Sequence, residues 1–202
     1  MPGGTGAGGN GRGTAPARTP RADARRNREA ILRAAREAFE AEGALTSLDG
    51  IAARAGVGNA TLYRNFPTRD DLLGAVVQDS VDAALRDADD LSRDLPPQQA
   101  LTEWLVLLTW RLRTWHDLPH CLASAHAETG SPVRSACNPL LQRTADLLAR
   151  AQEPGGGTGA ASAEEVYELV LALSWAVDRF GDDEVTARRR VVLGTAGIRA
   201  RG

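Results

Sequence analysis

The sequence predicts an all-α protein in two parts: an N-terminal three-helix unit built around a helix-turn-helix pattern and a C-terminal helical bundle. Three observations predict it. Apolar residues recur at spacings of three and four along most of the chain, the period of helices with one buried face. No segment shows the strict alternation of a strand. Residues 46–73, TSLDGIAARAGVGNATLYRNFPTRDDLL, set two short amphipathic segments around a glycine-bearing turn, the sequence form of a helix-turn-helix whose second helix enters the DNA major groove.

Residues 1–21 are low-complexity Gly, Pro, Ala and Arg and are expected to form a disordered basic tail. From about Ala22 a first helix carries Ile31, Ala34, Ala35, Ala38 and Phe39 on one face, with Arg33, Arg36, Glu37 and Glu40 largely opposite, and Gly43 ends it. Ser47 is placed to cap a second helix over 48–55, with Asp49 in its positive first turn. Gly56-Val57-Gly58 makes the turn, and Val57 plugs the angle between the helices. Asn59 is expected to cap a third helix over 60–65, which Pro67 closes. Ile31, Phe39, Leu45, Ile51, Leu62 and Phe66 are assigned to the core, with Tyr63 pointing outward.

Thr68 then caps a fourth helix, with Asp70 and Asp71 in its first turn. Its apolar face, Leu72, Leu73, Val76, Val77 and Val81, carries it to about Asp90 as the connector out of the small domain. The domain boundaries are drawn at 22–78 and 79–202. After Leu95-Pro96-Pro97, a helix over 98–114 is apolar on two sides and belongs in the middle of a bundle. Helices over 118–128 and 132–152 follow, the latter kinked or interrupted by Pro139. Residues 153–161 read as a flexible linker. Two last helices, over 162–179 and 183–199, hold more apolar surface than one chain can bury, so they are expected to pair with their copies.

Net charge is −2, but it is unevenly spread. Residues 1–78 carry eleven arginines against eight acidic residues, and residues 79–202 carry thirteen against eighteen. The basic part holds the helix-turn-helix, which suits phosphate contact there. No apolar run reaches the roughly 18–20 residues that span a bilayer, and the N-terminus lacks the apolar stretch of a signal peptide, so a soluble cytoplasmic protein is expected.

Residues 48–73 resemble the TetR family of bacterial transcriptional repressors: Leu48, Ile51-Ala52, Ala55-Gly56-Val57, Thr61-Leu62-Tyr63-Arg64, Phe66-Pro67, Arg69 and Leu72-Leu73 follow its pattern in order. The resemblance covers about residues 25–75. It implies that the hydroxyls of Thr61 and Tyr63 meet phosphates or, for Tyr63, bases. It places Asn59 and Ala60 at the exposed start of the recognition helix, where bases are read, and Arg69 where the family usually has a phosphate-holding lysine. Ser47, Arg64 and Asn65 complete the candidate DNA-binding set. Asn65 replaces the commoner histidine, and Gly58 a common serine.

The residues make physical sense without the family. Hydroxyls and arginine on phosphates set register, while short polar side chains read base edges. With Gly58, Asn59 and Ala60 at its start the helix has few long readers, so part of its specificity is expected from DNA shape. Arg12, Arg18, Arg21, Arg25, Arg26 and Arg28 could add a basic arm along the backbone or in a minor groove, or form only a solvated tail.

Trp104, Leu108, Trp110 and His120 are the candidate ligand contacts, beside the plainer reading of core packing. His116 and His120 lie four apart, but Pro119 spoils the helix between them and no carboxylate completes a set, so no metal is expected. Cys121 and Cys137 read as small buried hydrophobes rather than a redox pair. No nucleophile elbow, P-loop, paired carboxylates or zinc pattern is present. The expectation is not an enzyme and requires no cofactor. The resemblance to the TetR family implies an all-α protein with a DNA-binding domain and a ligand-binding and dimerisation bundle: a homodimer that binds a palindromic double-stranded DNA operator and is released when a small-molecule effector enters the bundle. The competing expectation is a ligand-independent DNA-binding or architectural protein, whose bundle would be filled.

Overall fold

The computed structural model describes residues 20–152 and 161–197. Among them lie nine α-helices and no strand, as expected for an all-α chain. The expected linker at 153–161, except for Ala161, and Arg12 and Arg18 of the expected tail lie outside the described residues.

Helix α1 (Pro20–Glu42) buries the expected stripe: Ile31, Ala34, Ala35, Ala38 and Phe39 are all at most 4% exposed. It starts two residues earlier than the periodicity indicates, because Pro20 suits a first helical position and Asp23 sits in the positive first turn. Gly43 ends it. Helix α2 (Leu48–Arg54) is capped by Ser47, whose Oγ accepts from the Gly50 N–H at 3.4 Å. Gly56 supplies the turn at φ +68, a conformation side chains rarely adopt. Val57 is half-buried against the core.

Helix α3 (Asn59–Asn65) starts one residue early. Gly58 is its N-cap and makes no side-chain bond, so Asn59 is its first helical residue rather than its cap. Leu45 is also corrected: it is 51% exposed, because Ala44 beside it takes the buried place and donates its N–H to the His116 carbonyl at 2.9 Å.

Helix α4 (Arg69–Asp94) opens with a full capping box between Thr68 and Asp71 and runs one turn past Asp90. Helix α5 (Pro97–Arg111) lies in the centre, in contact with α4, α7, α8 and α9. Its Trp104 is wholly buried and donates Nε1–H to Thr144 Oγ1 at 3.0 Å. Helices α6 (Leu118–Ala127) and α7 (Pro132–Ala151) follow. Pro139 does not interrupt α7: the lost backbone bond and the ring's clash with the preceding turn are offset by packing on α4, the most extensive neighbour of α7.

Helix α8 (Ala163–Phe180) starts with a second capping box, in which hydrogen bonds with Ser162 hold the Glu165 carboxyl below its usual range. Helix α9 (Glu184–Gly194) ends earlier than expected. Ala172, Trp175, Phe180, Val185 and Leu193 stay exposed on this last pair. No helix among the described residues is long and apolar enough to cross a membrane.

Candidate nucleic-acid interface

Helices α1, α2 and α3 contact one another pairwise and form one small head. Leu62 anchors α3 at 1% exposure, while its neighbour Tyr63 is 45% exposed. A step of about 100° per residue produces this contrast on a seven-residue helix. Asn59, Ala60 and Arg64 are exposed with Tyr63, and Ser47 stands exposed at the start of α2. No acidic residue lies in the first turn of α3, so its positive dipole end is unopposed.

The remaining candidates are more committed to the fold. Thr61 is half-buried and its Oγ1 accepts from Arg64 Nη2 at 2.9 Å. Asn65 is half-buried and donates Nδ2–H back to the Thr61 carbonyl at 2.8 Å. Arg69 donates from Nη1 to the Ala44 carbonyl at 2.9 Å, leaving its other donors for a phosphate. Arg28 sits with its guanidinium 4.4 Å above the Phe66 ring and its Nη1 3.4 Å from the Asn65 carbonyl. Sequence reasoning put Arg28 only in a basic arm; the structure ties it to the negative end of α3.

The head is bolted to the bundle at three points. Ala44 bonds to His116, Phe39 packs against Trp115 with ring centroids 5.4 Å apart, and Ser131 Oγ donates to Asp70 Oδ2 at 2.9 Å. His116 in turn lies 3.2 Å from the Asp178 carboxylate near the end of α8. The sequence signals none of these links, since each joins residues far apart in the chain.

The four candidate ligand contacts do not meet in one place. Trp104 and Leu108 are wholly buried; Trp104 uses its N–H on Thr144, and Leu108 lines an interior void of about 30 Å³. Trp110 lines an open groove of about 640 Å³ between α4, α5 and α9. His120 lines another, of about 580 Å³, with Trp175 of α8. The periodicity of α5 places Trp104 and Trp110 on the helix but cannot say which side is closed by α7. Cys121 and Cys137 are both free thiols, and burial pushes Cys137 up to about 12. No group of three potential metal ligands occurs among the described residues.

Comparison with known proteins decides the family. Residues 31–76 match the family described as bacterial regulatory proteins, tetR family, and residues 96–200 match the SbtR-like transcriptional regulator C-terminal domain. The chain belongs to the TetR family. It is thus a transcriptional regulator with the helix-turn-helix head of that family, whose members are in general DNA-binding rather than catalytic proteins. No match is found among curated proteins.

Solved structures agree with the TetR fold. A TetR transcriptional regulator from Streptomyces coelicolor is 27% identical, with TM-score 0.54, over 87% of this chain and 99% of that one. FadR of Thermus thermophilus, a TetR-family repressor in complex with lauroyl-CoA, is 20% identical, with TM-score 0.62, over 87% and 96%. NalD, the secondary repressor of the MexAB-OprM multidrug efflux pump in Pseudomonas aeruginosa, is 22% identical, with TM-score 0.55, over 89% and 98%. The last two likenesses concern the fold alone.

Proposed function

We propose that this TetR-family protein is a homodimeric repressor that binds a palindromic DNA operator and is released when a small molecule binds outside the head. The observation that carries it is the pair Leu62 and Tyr63: one locks α3 into the head, and the other offers a phenol to a duplex from the same short helix. Asn59, Ala60, Thr61 and Arg64 then supply base and phosphate contacts, with Ser47, Asn65 and Arg69 around them. Supporting the dimer, Trp175, Phe180, Val185 and Leu193 are large apolar residues left exposed on α8 and α9, and clustered apolar exposure marks an interaction surface. A two-fold axis there would set two recognition helices about 34 Å apart, one DNA turn.

The experiment is a gel shift with the DNA flanking its own gene, read beside sedimentation. Expected is a dimer that retards a fragment containing an inverted repeat. No retardation at low salt, or a stable monomer at micromolar concentration, would overturn the reading. Effector release is supported by the chain's division into head and bundle and by the links at Ala44, Phe39 and Asp70. A coupling of about 1–3 kcal/mol would change operator affinity about 5–150-fold.

One observation favours a second reading, a DNA-binding protein that answers to no small molecule. The void that Leu108 lines inside the bundle is about 30 Å³, the room of about one water.

A further inference from the structure

We propose that the groove between α4, α5 and α9, rather than the bundle interior, is the effector site, and that it takes an amphipathic organic anion. This rests on the regulator reading above.

Size is the first argument. At about 640 Å³ the groove falls within the roughly 300–1,000 Å³ of small-molecule sites, whereas the interior void is twenty times smaller. The second is the lining. Leu91 at the end of α4, Val106, Leu107 and Trp110 on α5, and Ala187 on α9 give an apolar wall for a flat or aliphatic body.

Charge picks the sign of the ligand. Three arginines and two glutamates border the groove: Arg111 pairs with Asp87 of α4, Arg188 pairs with Glu103, whose Oε1 takes Nη1 at 2.9 Å, and Glu184 adds its charge on the Arg188 side. Arg113 has no carboxylate partner among the described residues. Its guanidinium lies 3.8 Å over the Trp110 ring, and its Nε is enclosed without a hydrogen-bond partner. A cation held flat by an aromatic ring on the groove wall, with no carboxylate against it, is paired by an anionic oxygen that meets the outer guanidinium nitrogens.

Position supplies the output. Glu184, Ala187 and Arg188 line the groove. At about 100° per residue, Leu193 falls on the far side of α9 and Val185 on its flank, so pairing through Leu193 leaves the groove open. Arg113 precedes by two and three residues Trp115 and His116, which hold Phe39 and Ala44 of the head. A ligand pulling on Trp110 and Arg113 therefore acts on the segment that fastens the DNA-binding unit.

The test uses the full-length protein and two fluorescent probes of similar body, anilinonaphthalene sulfonate and the uncharged phenylnaphthylamine. Expected is sulfonate binding that Arg113→Gln weakens at least about tenfold, with phenylnaphthylamine unaffected by that change. Trp110→Ala should abolish both. Ala84→Val, which fills the interior void, and Trp175→Ala, on the exposed α8 face, should alter neither. Equal sulfonate affinity in Arg113→Gln and the parent, or loss of binding in Ala84→Val or Trp175→Ala, overturns the site. The sulfonate should also weaken retention of the flanking DNA at least about threefold in the parent but not in Arg113→Gln. If DNA is retained and the bound probe changes nothing, the effector role falls and the regulator reading stands. If no DNA is retained while the probe pattern holds, the regulator reading falls and the binding site stands.

Discussion

Arg69 donates to the carbonyl of Ala44 across 25 residues of sequence, while the N–H of Ala44 goes to His116. One small residue in the loop after α1 is thereby gripped from both sides, by the helix that leaves the head and by the bundle. Arg69 thus has a structural duty besides the phosphate contact that its position suggests.

Arg69→Ala separates the two. Loss of the bond to Ala44 should cost about 1 kcal/mol of stability, read by denaturant unfolding. Loss of a phosphate contact should lower the slope of log affinity against log salt by about one. A full stability loss with an unchanged slope would leave Arg69 as a tie only.

Tyr63→Phe removes one hydroxyl from a side chain that is 45% exposed and makes no hydrogen bond among the described residues. The melting temperature should stay put, and operator affinity should fall about fivefold, as for one net hydrogen bond of about 1 kcal/mol. Unchanged retention in a gel shift would remove Tyr63 from the interface.

Much of this head is written in its sequence because its signals are local. A hydroxyl three residues before an amide, as at Ser47 and Thr68, caps a helix through atoms a few ångströms apart. The three- and four-residue spacing of Ile31, Ala34, Ala35 and Ala38 fixes the buried side of α1. The bundle is less legible. Trp104, Leu108 and Trp110 share a helix that is apolar almost all round, and only the placement of α7 and α9 decides which is sealed and which faces a groove. Leu45 misled for the same reason: its polarity says inside, but Ala44 holds the place. Arg113 has one local partner, Trp110 three residues before it, but the groove that the pair faces is closed by α4 and α9, which the local sequence does not announce.

Trp175→Asp combined with Leu193→Asp places carboxylates on the apolar face of α8 and α9, where both side chains are about half exposed or more in the single chain. The chain should fold and sediment as a monomer, with operator affinity falling by at least about a hundredfold, as expected when two linked heads become one. A variant that still sediments as a dimer would place the self-association elsewhere.

Gly74→Ala tests the seat of α4. A methyl there would lie 3.0 Å from the Pro132 carbonyl oxygen and 3.1 Å from its carbon, and both are backbone atoms that cannot swing away. Stability should drop by about 1–3 kcal/mol, the usual cost of overpacking. A neutral result would mean that the two helices are free to separate.

The same contact has a mechanical consequence. Gly74 lies five residues from Arg69 and twenty from Asp94, the two ends of α4, or about 7 Å and 30 Å at 1.5 Å per residue. A helix that rocks about so close a backbone touch would behave as a lever with unequal arms. Movement at its distal tip would arrive at the DNA end reversed, about fourfold smaller and with correspondingly greater force, so a gentle push near Leu91 would be geared toward prising rather than swinging the reading head.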